Sequence, residues 1–276
     1  MYLRSFSTAP FLAALLIWGL SLQTSVAQGK RGGPAADQPV ARTDANSKLA
    51  HQQMVENLKK GRIDLYFVGD SITRRWRATD YPQFLANWNE NFYGWNAANF
   101  GWGADRIENI LWRLENGELD GVNPKVIVVL AGINNVGTKP GSADKVEDIT
   151  EGLRAVLDVC RTKAPNATVI MMAIFPRNDN IGVTPTLNQI NRNIEQMADG
   201  RKVRYLDIND KLADKDGRFF SGMVNADQLH PTLQAYQVWA DALKSLLTEL
   251  LGPPAKTDHA PPPTGDPSAR RPPEKR

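Results

Sequence analysis

The chain has 276 residues, a formal net charge of +3 and 42% hydrophobic residues. Its lysines and arginines are interleaved with acids, which excludes the clustered basic footprint of a nucleic-acid binder, and residues 47–252 are ample for one domain's core. The single cysteine, Cys160, excludes an internal disulfide, and its place in a helical pattern reads as a small buried apolar residue.

In chain order, residues 1–27 carry Arg4 as their only charged side chain. An apolar run over 11–22 precedes Ser25-Val26-Ala27, a small-x-small cleavage pattern, and together these read as a secretory signal peptide. The run is shorter than the roughly 20 apolar residues of a membrane span, so no stable span is expected after cleavage, and the protein is expected to be exported, periplasmic or secreted. Residues 28–46 are rich in Gly, Ala, Pro and polar side chains and read as a linker. Residues 46–60 predict an amphipathic helix with Met54, Val55 and Leu58 on its apolar face and His51 at the edge of that face. Residues 63–68 predict a buried strand that closes in the tight turn Gly69-Asp70-Ser71. A second strand is predicted over 95–100, a helix over 107–114, and a strand over 125–131 ending at Gly132. A helix over 144–163, a strand over 168–175, a helix over 186–199, a short strand over 203–208 and a closing helix over 233–251 follow. Residues 253–276 hold eight prolines and little that is large and apolar, which predicts a disordered, extended tail.

Strands and helices alternate, and most strands are apolar on both faces. A strand hidden on both sides needs helices above and below it, so the fold class is α/β, a three-layer α/β/α sandwich around a mainly parallel five-stranded sheet. Ligands of such folds bind at the carboxyl ends of the strands. The unusual polar residues fall there: Ser71 after the first strand, Gly103 and Asp105 after the second, Asn134 after the third, and Asp227 and His230 just before the last helix.

Three histidines are present. His259 lies in the proline-rich tail and His51 on a packing face, which leaves His230, in Asp227-Gln228-Leu229-His230-Pro231, as the candidate base. A base in acyl transfer needs an orienting partner for its second ring nitrogen, and an acid three residues earlier can reach it. Taken singly, Asp227 and His230 read as a capping acid with a surface histidine, Ser71 as a helix cap, and Asn134-Asn135 as turn residues. All of them converge on one edge of the sheet. A serine nucleophile, a base with its partner and an amide donor for an oxyanion are what an acyl-transfer site requires. The Gly-x-Ser-x-Gly elbow of α/β-hydrolases is absent around Ser71, and no spacing of His or Cys suits a metal, so no metal or other cofactor is expected.

These blocks resemble those of the SGNH hydrolases, the GDSL-type lipases and esterases. Gly69-Asp70-Ser71-Ile72-Thr73, Gly132-Ile133-Asn134-Asn135 and Asp227-Gln228-Leu229-His230-Pro231 are similar to the family's first, third and last blocks. The stretch from Asn99 to Asp105, with Leu111-Trp112-Arg113-Leu114, looks closest to the platelet-activating-factor acetylhydrolase-like branch. The resemblance implies a flavodoxin-like SGNH fold, Ser71 as nucleophile, His230 as base and Asp227 as its orienting acid. It implies an oxyanion hole built from the Ser71 N–H, a backbone N–H at Gly103 or Ala104, and the Asn134 side chain. The chain departs from the pattern at Ala104, where the family usually has glycine; the alanine N–H is expected to serve if the backbone there is not left-handed. A second departure is Ala235, where glycine is common in the last helix.

Asp70, Trp76 and Trp102, beside the first two blocks, are the candidate substrate-binding residues, the tryptophans as stacking platforms for sugar rings. Burial as core aromatics is the competing reading of each tryptophan. With no apolar insertion to receive a long chain, the expected substrate is a short-chain acyl ester, acetyl foremost, on an acetylated polysaccharide. A non-catalytic carbohydrate-binding domain on the same scaffold, or a lysophospholipase or thioesterase, are the alternatives.

Overall fold

Strands buried on both faces account for the layered arrangement. The computed structural model describes Met1 and residues 33–269, and the predicted signal peptide lies outside the described residues from its second residue on. Strands β1 (Leu65–Gly69), β2 (Ala97–Gly101), β3 (Val126–Leu130), β4 (Thr168–Met172) and β5 (Val203–Leu206) form one parallel sheet in the order β2-β1-β3-β4-β5. All residues of β1, β3 and β4 are buried. Successive side chains of a strand face opposite sides of the sheet. Thus Phe67 packs against Trp88, Phe92 and Trp239, at ring-centroid separations of 4.8, 5.2 and 6.1 Å, which α3 (Pro82–Phe92) and α9 (Leu233–Leu251) carry. Its neighbour Tyr66 turns the other way, stacks on Phe100 at 4.3 Å and donates its hydroxyl to the Glu118 carbonyl at 2.7 Å. Helix α6 (Ala143–Lys163) packs against both α4 (Ile107–Arg113) and α7 (Thr184–Glu195). The result is the expected three-layer α/β/α sandwich.

Other elements sharpen the expectations. Helix α1 (Ala45–Asn57) starts where Asp44 accepts the Ser47 N–H at 2.8 Å, a side-chain N-cap. Helix α2 (Ser71–Arg77) and helix α3 are additions to the predicted elements. Arg74, Arg75 and Arg77 break the apolar period in α2, so packing rather than pattern forms it. Helix α7 begins at Thr184, two residues before the predicted start, because Pro185 fits a first turn that needs no N–H there. The short helices α5 (Ile133–Val136) and α8 (Asn209–Leu212) follow β3 and β5. Among the described residues, no helix is long and apolar enough to cross a membrane.

Two segments expected to be loose lie along the domain instead. In the predicted linker, Ala36 is buried against Gly152 of α6, where a Cβ would come 2.7 Å from the Ala36 methyl. The Val40 N–H donates to the Glu108 carbonyl at 2.9 Å, and Asn109 donates to the Val40 carbonyl at 2.9 Å. The predicted disordered tail is ordered over residues 253–269 without helix or strand. Its carbonyls are the reason. Proline carries no N–H, so each Pro offers an acceptor alone, and the domain presents matching donors. The Arg62 N–H reaches the His259 carbonyl at 2.8 Å, Arg77 reaches that of Pro261 at 2.5 Å, and Asn57 reaches that of Pro262 at 2.7 Å. Arg77 is buried, and burial lowers its pKa to about 10 against the favourable charge of Asp258. Truncation after Gly252 leaves that guanidinium without its acceptor, and a lost hydrogen bond to a buried charge costs on the order of 2–3 kcal/mol. The expected outcome is a Tm lower by roughly 5–10 °C for a domain of this size; an unchanged melting curve contradicts this account of the tail.

Candidate active site

The nucleophile turn begins where β1 ends. Gly69 pairs with Gly101 on one side and Leu130 on the other, and a Cβ on Gly69 would overlap the Leu130 carbonyl oxygen and Thr73 Oγ1. Only glycine fits, and the chain passes straight into α2 with Ser71 as its first residue. Asp70 caps the helix through the Ile72 N–H at 2.9 Å. This carboxyl is buried and its Oδ2 has no hydrogen-bond partner; burial, with Asp105 adding to it, lifts its pKa to about 7. The expected substrate contact from Asp70 is therefore corrected to a capping role inside the protein.

Ser71 Oγ lies 2.9 Å from Nε2 of His230, and Nδ1 of His230 lies 2.7 Å from Oδ2 of Asp227. With Nδ1–H donating to the carboxylate, Nε2 is left as an acceptor for the serine hydroxyl. The other Asp227 oxygen accepts the N–H groups of Leu229 and His230 at 3.1 and 2.9 Å. Gln228, between Asp227 and Leu229, takes a left-handed φ of 58°, and its carbonyl is held by the N–H groups of Asn178 and Asp179 at 2.8 and 3.0 Å. Burial pushes the Asp227 carboxyl up, but the His230 and Leu229 N–H groups and the imidazole outweigh it and hold the pKa at about 2. Burial, then the Arg75 guanidinium, hold the His230 imidazole below its ordinary value, against the pull of Asp227.

The oxyanion side is assembled from the ends of β2 and β3. Asn134 Nδ2 donates to the Asp105 carbonyl at 2.8 Å; an amide nitrogen carries two hydrogens, so one orients the side chain and the other has no acceptor among the described residues. Asn135 turns inward, accepting the Ile107 N–H at 2.9 Å and donating to Glu108 at 2.8 Å. Ala104 is left-handed, φ 61°, contrary to the condition under which its N–H was expected to serve. A left-handed residue with a Cβ carries strain of about 1–2 kcal/mol. Among the described residues, the N–H groups of Ser71, Gly103 and Ala104 have no protein acceptor, so each is left unengaged despite that strain.

Neither tryptophan offers a sugar platform. Trp76 is 0% and Trp102 6% exposed. Trp76 Nε1 donates to Asn87 at 2.9 Å and its ring packs in the aromatic layer beneath α3 and α9, while Trp102 Nε1 donates to Ser47 at 2.8 Å. The expected stacking role is corrected to core packing, with the indole N–H of each satisfied internally.

Three arginines that hold the site were not singled out from sequence for that role. Arg113 is buried and donates to Asp105 at 2.7 Å, to the Phe100 carbonyl at 3.0 Å and to Glu118. Burial opposes its charge, and the Glu118 and Asp105 carboxylates keep it protonated. Arg177 pairs with Asp179 at 2.6 Å and donates to the carbonyls of Ile133 and Gly137 at 3.3 and 3.0 Å, so it joins α5, which carries Asn134, to the residues that hold Gln228. Arg42, from the predicted linker, reaches the Gly103 carbonyl at 3.1 Å. The one available signal was Arg113 amid Leu111, Trp112 and Leu114, a charge among apolar residues, but spacing alone does not separate a buried arginine from a snorkelling one.

The charge of Arg75, 3.6 Å from Asp227 Oδ2, gives a pH test. His230 acts as a base only when neutral, and its lowered pKa keeps it neutral further into the acid range. Removing a neighbouring positive charge raises that pKa. For Arg75→Gln the acid limb of kcat/KM is therefore expected to move to higher pH, and a limb that stays in place contradicts the role given to Arg75.

Residues 67–238 match the model of the GDSL-like lipase/acylhydrolase family. The chain is 30% identical over 206 residues to the platelet-activating factor acetylhydrolase IB subunit alpha1 of Bos taurus, covering 73% of this chain and 82% of that protein. A GDSL-like lipase from Bacteroides thetaiotaomicron shares the fold at a TM-score of 0.58 and 16% identity, over 72% of this chain and 97% of that one. So does a variant of an acetyl-xylooligosaccharide esterase from Geobacillus, at a TM-score of 0.50 and 19% identity, over 70% and 96% of the two chains. With the family's span running from the nucleophile strand to the closing helix, and with a relative of this identity over most of its length, the chain belongs to the GDSL-type (SGNH) acylhydrolases, a family of ester hydrolases.

Proposed function

We propose that this protein is an exported serine esterase that removes short acyl groups, acetyl foremost, with an acetylated polysaccharide as its substrate class. The observation that carries the catalytic part is the unbroken line from Ser71 through His230 to Asp227, with links of 2.9 and 2.7 Å. Ser71 Oγ attacks the ester carbonyl carbon while His230 Nε2 takes the hydroxyl proton. The tetrahedral oxyanion is met by the Ser71 N–H, a second-block N–H and the free hydrogen of Asn134. Collapse breaks the bond to the alcohol, which leaves with the proton from His230. Water, deprotonated by the same nitrogen, then attacks the acyl-serine; collapse breaks the bond to Ser71 Oγ, which takes the proton back from His230, and the acid is freed. Asp227 stays ionised throughout, because its pKa is held far below the working range.

Support for a short acyl group comes from the neighbours of the reacting residues and from a relative. Ile72, Trp102 and Ile133, which adjoin the nucleophile and the oxyanion donors, turn into the core and offer no exposed apolar wall to a long chain. The bovine relative is named an acetylhydrolase. A polysaccharide fits the expected export, since acylated polymers are met outside the cell. With Trp76 and Trp102 in the core, that part of the reading no longer rests on tryptophan stacking.

The test is hydrolysis of nitrophenyl acetate, butyrate and octanoate and of acetylated xylan by the mature chain and by Ser71→Ala. The expected outcome is a rate that falls with acyl length, acetate release from the polymer, and loss of at least about 10³-fold in the variant. A profile that peaks at octanoate selects a lysophospholipase or thioesterase instead. A folded protein inactive on every ester selects a binding domain.

A further inference from the structure

Arg42 lies outside the span that matches the family model, in a segment whose composition reads as a linker. Its Nη1 nevertheless donates to the Gly103 carbonyl at 3.1 Å and to Oδ1 of Asp105 at 3.2 Å. These two acceptors flank Ala104, the left-handed residue of the oxyanion segment. Arg42 is itself held, with Nε and Nη2 at 3.1 and 3.0 Å from Asp44 Oδ2, and Asp44 is the N-cap of α1. The far end of the segment is clamped separately. Arg113 holds the second Asp105 oxygen at 2.7 Å and Asn134 holds the Asp105 carbonyl at 2.8 Å.

The Ala104 side chain is exposed, so no packing of its own keeps residue 104 in a conformation that L-residues avoid. Something outside the residue must do so: the Asp105 N–H closes a long turn bond of 3.4 Å onto the Trp102 carbonyl, and Arg42 is the side chain that grips both sides of residue 104. Without Arg42 the Gly103 carbonyl loses its side-chain donor, and the long turn bond from the Asp105 N–H to the Trp102 carbonyl is left to span residue 104, while Trp102 and Asp105 on either side stay fixed. Residue 104 can then relax out of the left-handed region, and that rotation turns its N–H away from the crevice. A glycine at 104 has no such tendency, since it adopts positive φ without steric cost.

We propose that Arg42 is a positioning residue for the oxyanion hole, holding a donor segment that contains alanine in the conformation that glycine adopts unaided. The inference rests on the serine-esterase reading above. It assigns the segment before α1 a part in transition-state stabilisation rather than in spacing alone.

A double-mutant cycle on nitrophenyl acetate tests it, with wild type, Arg42→Ala, Ala104→Gly and the double variant compared for kcat, KM and Tm. An oxyanion donor acts on the transition state and hardly on bound substrate, so its displacement appears in kcat. Arg42→Ala is expected to lower kcat about tenfold with KM nearly unchanged, a partial loss of the roughly 10²–10³ that one donor supplies. In the Ala104→Gly background the same change is expected to cost less than about threefold, a coupling that independent sites do not show. Equal losses in the two backgrounds overturn the proposal, as does an Arg42→Ala enzyme with wild-type kcat. If Arg42→Ala fails to fold, Arg42→Lys takes its place; its loss is expected to be smaller and again relieved by Ala104→Gly, and absence of relief overturns the proposal. Ser71→Ala separates the two levels: wild-type turnover by that variant defeats the esterase reading itself, whereas an inactive Ser71→Ala enzyme with no coupling between positions 42 and 104 defeats only this inference.

Discussion

The absence of a side chain at Gly69 is the constraint on which the site depends. There β1 lies between β2 and β3, in register with Gly101 and Leu130, and the Leu130 carbonyl and Thr73 occupy the space a Cβ would need. The chain therefore turns at once into α2 and places Ser71 at the rim of the sheet. Because β3 is the neighbour of β1, the loop that follows Leu130 emerges beside that turn and brings Asn134 to it. Because β2 is the other neighbour, Gly103 and Ala104 arrive from the opposite side. The sheet order converts three separate strand ends into one crevice, which is why ligands of open α/β sheets gather where the direction of winding reverses.

Buried charges hold the loops that leave this edge. Arg113 fastens the end of β2 to the Asp105 carboxylate and to Glu118, whose other oxygen lies 2.8 Å from Nδ1 of His51. Arg177 fastens the loop after β3 to the segment that grips Gln228. Desolvation offsets most of what such pairs contribute to stability. Their effect is geometric: each guanidinium fixes several carbonyl positions at once, in a fork that a lysine does not reproduce. Catalysis needs that fixity, since donors aimed in advance at a developing charge need no reorganisation when it forms.

Much of this was readable from the residues. The strand cores were found because chains buried on both faces are apolar throughout, and the closing helix 233–251 matches residue for residue. Ser71, Asn134, Asp227 and His230 each read singly as a cap, turn or surface residue; it is their convergence on one edge of the sheet, in blocks that resemble the family's, that marks them, and the fold brings them to that edge. Helices α2 and α3 were not found, because their burial is set by neighbours rather than by a period within them. Trp76 and Trp102 were misread because an indole near a site in sequence has the same composition whether its ring faces solvent or core. The tail was misread for a related reason: apolar content measures one route to order, whereas residues 253–269 are held by carbonyls meeting donors from Asn57, Arg62 and Arg77. Arg42 escaped notice because its two acceptors at the site are 61 and 63 residues away, a distance at which no local pattern exists.

The most direct test of the central claim, that His230 activates Ser71 as a nucleophile, is covalent labelling of the native protein with a fluorophosphonate followed by peptide mass mapping. The account predicts a single adduct on the peptide containing Ser71, forming at a rate that falls by roughly hundredfold or more in His230→Ala. An adduct on another residue, or equal labelling rates with and without the imidazole, would contradict it.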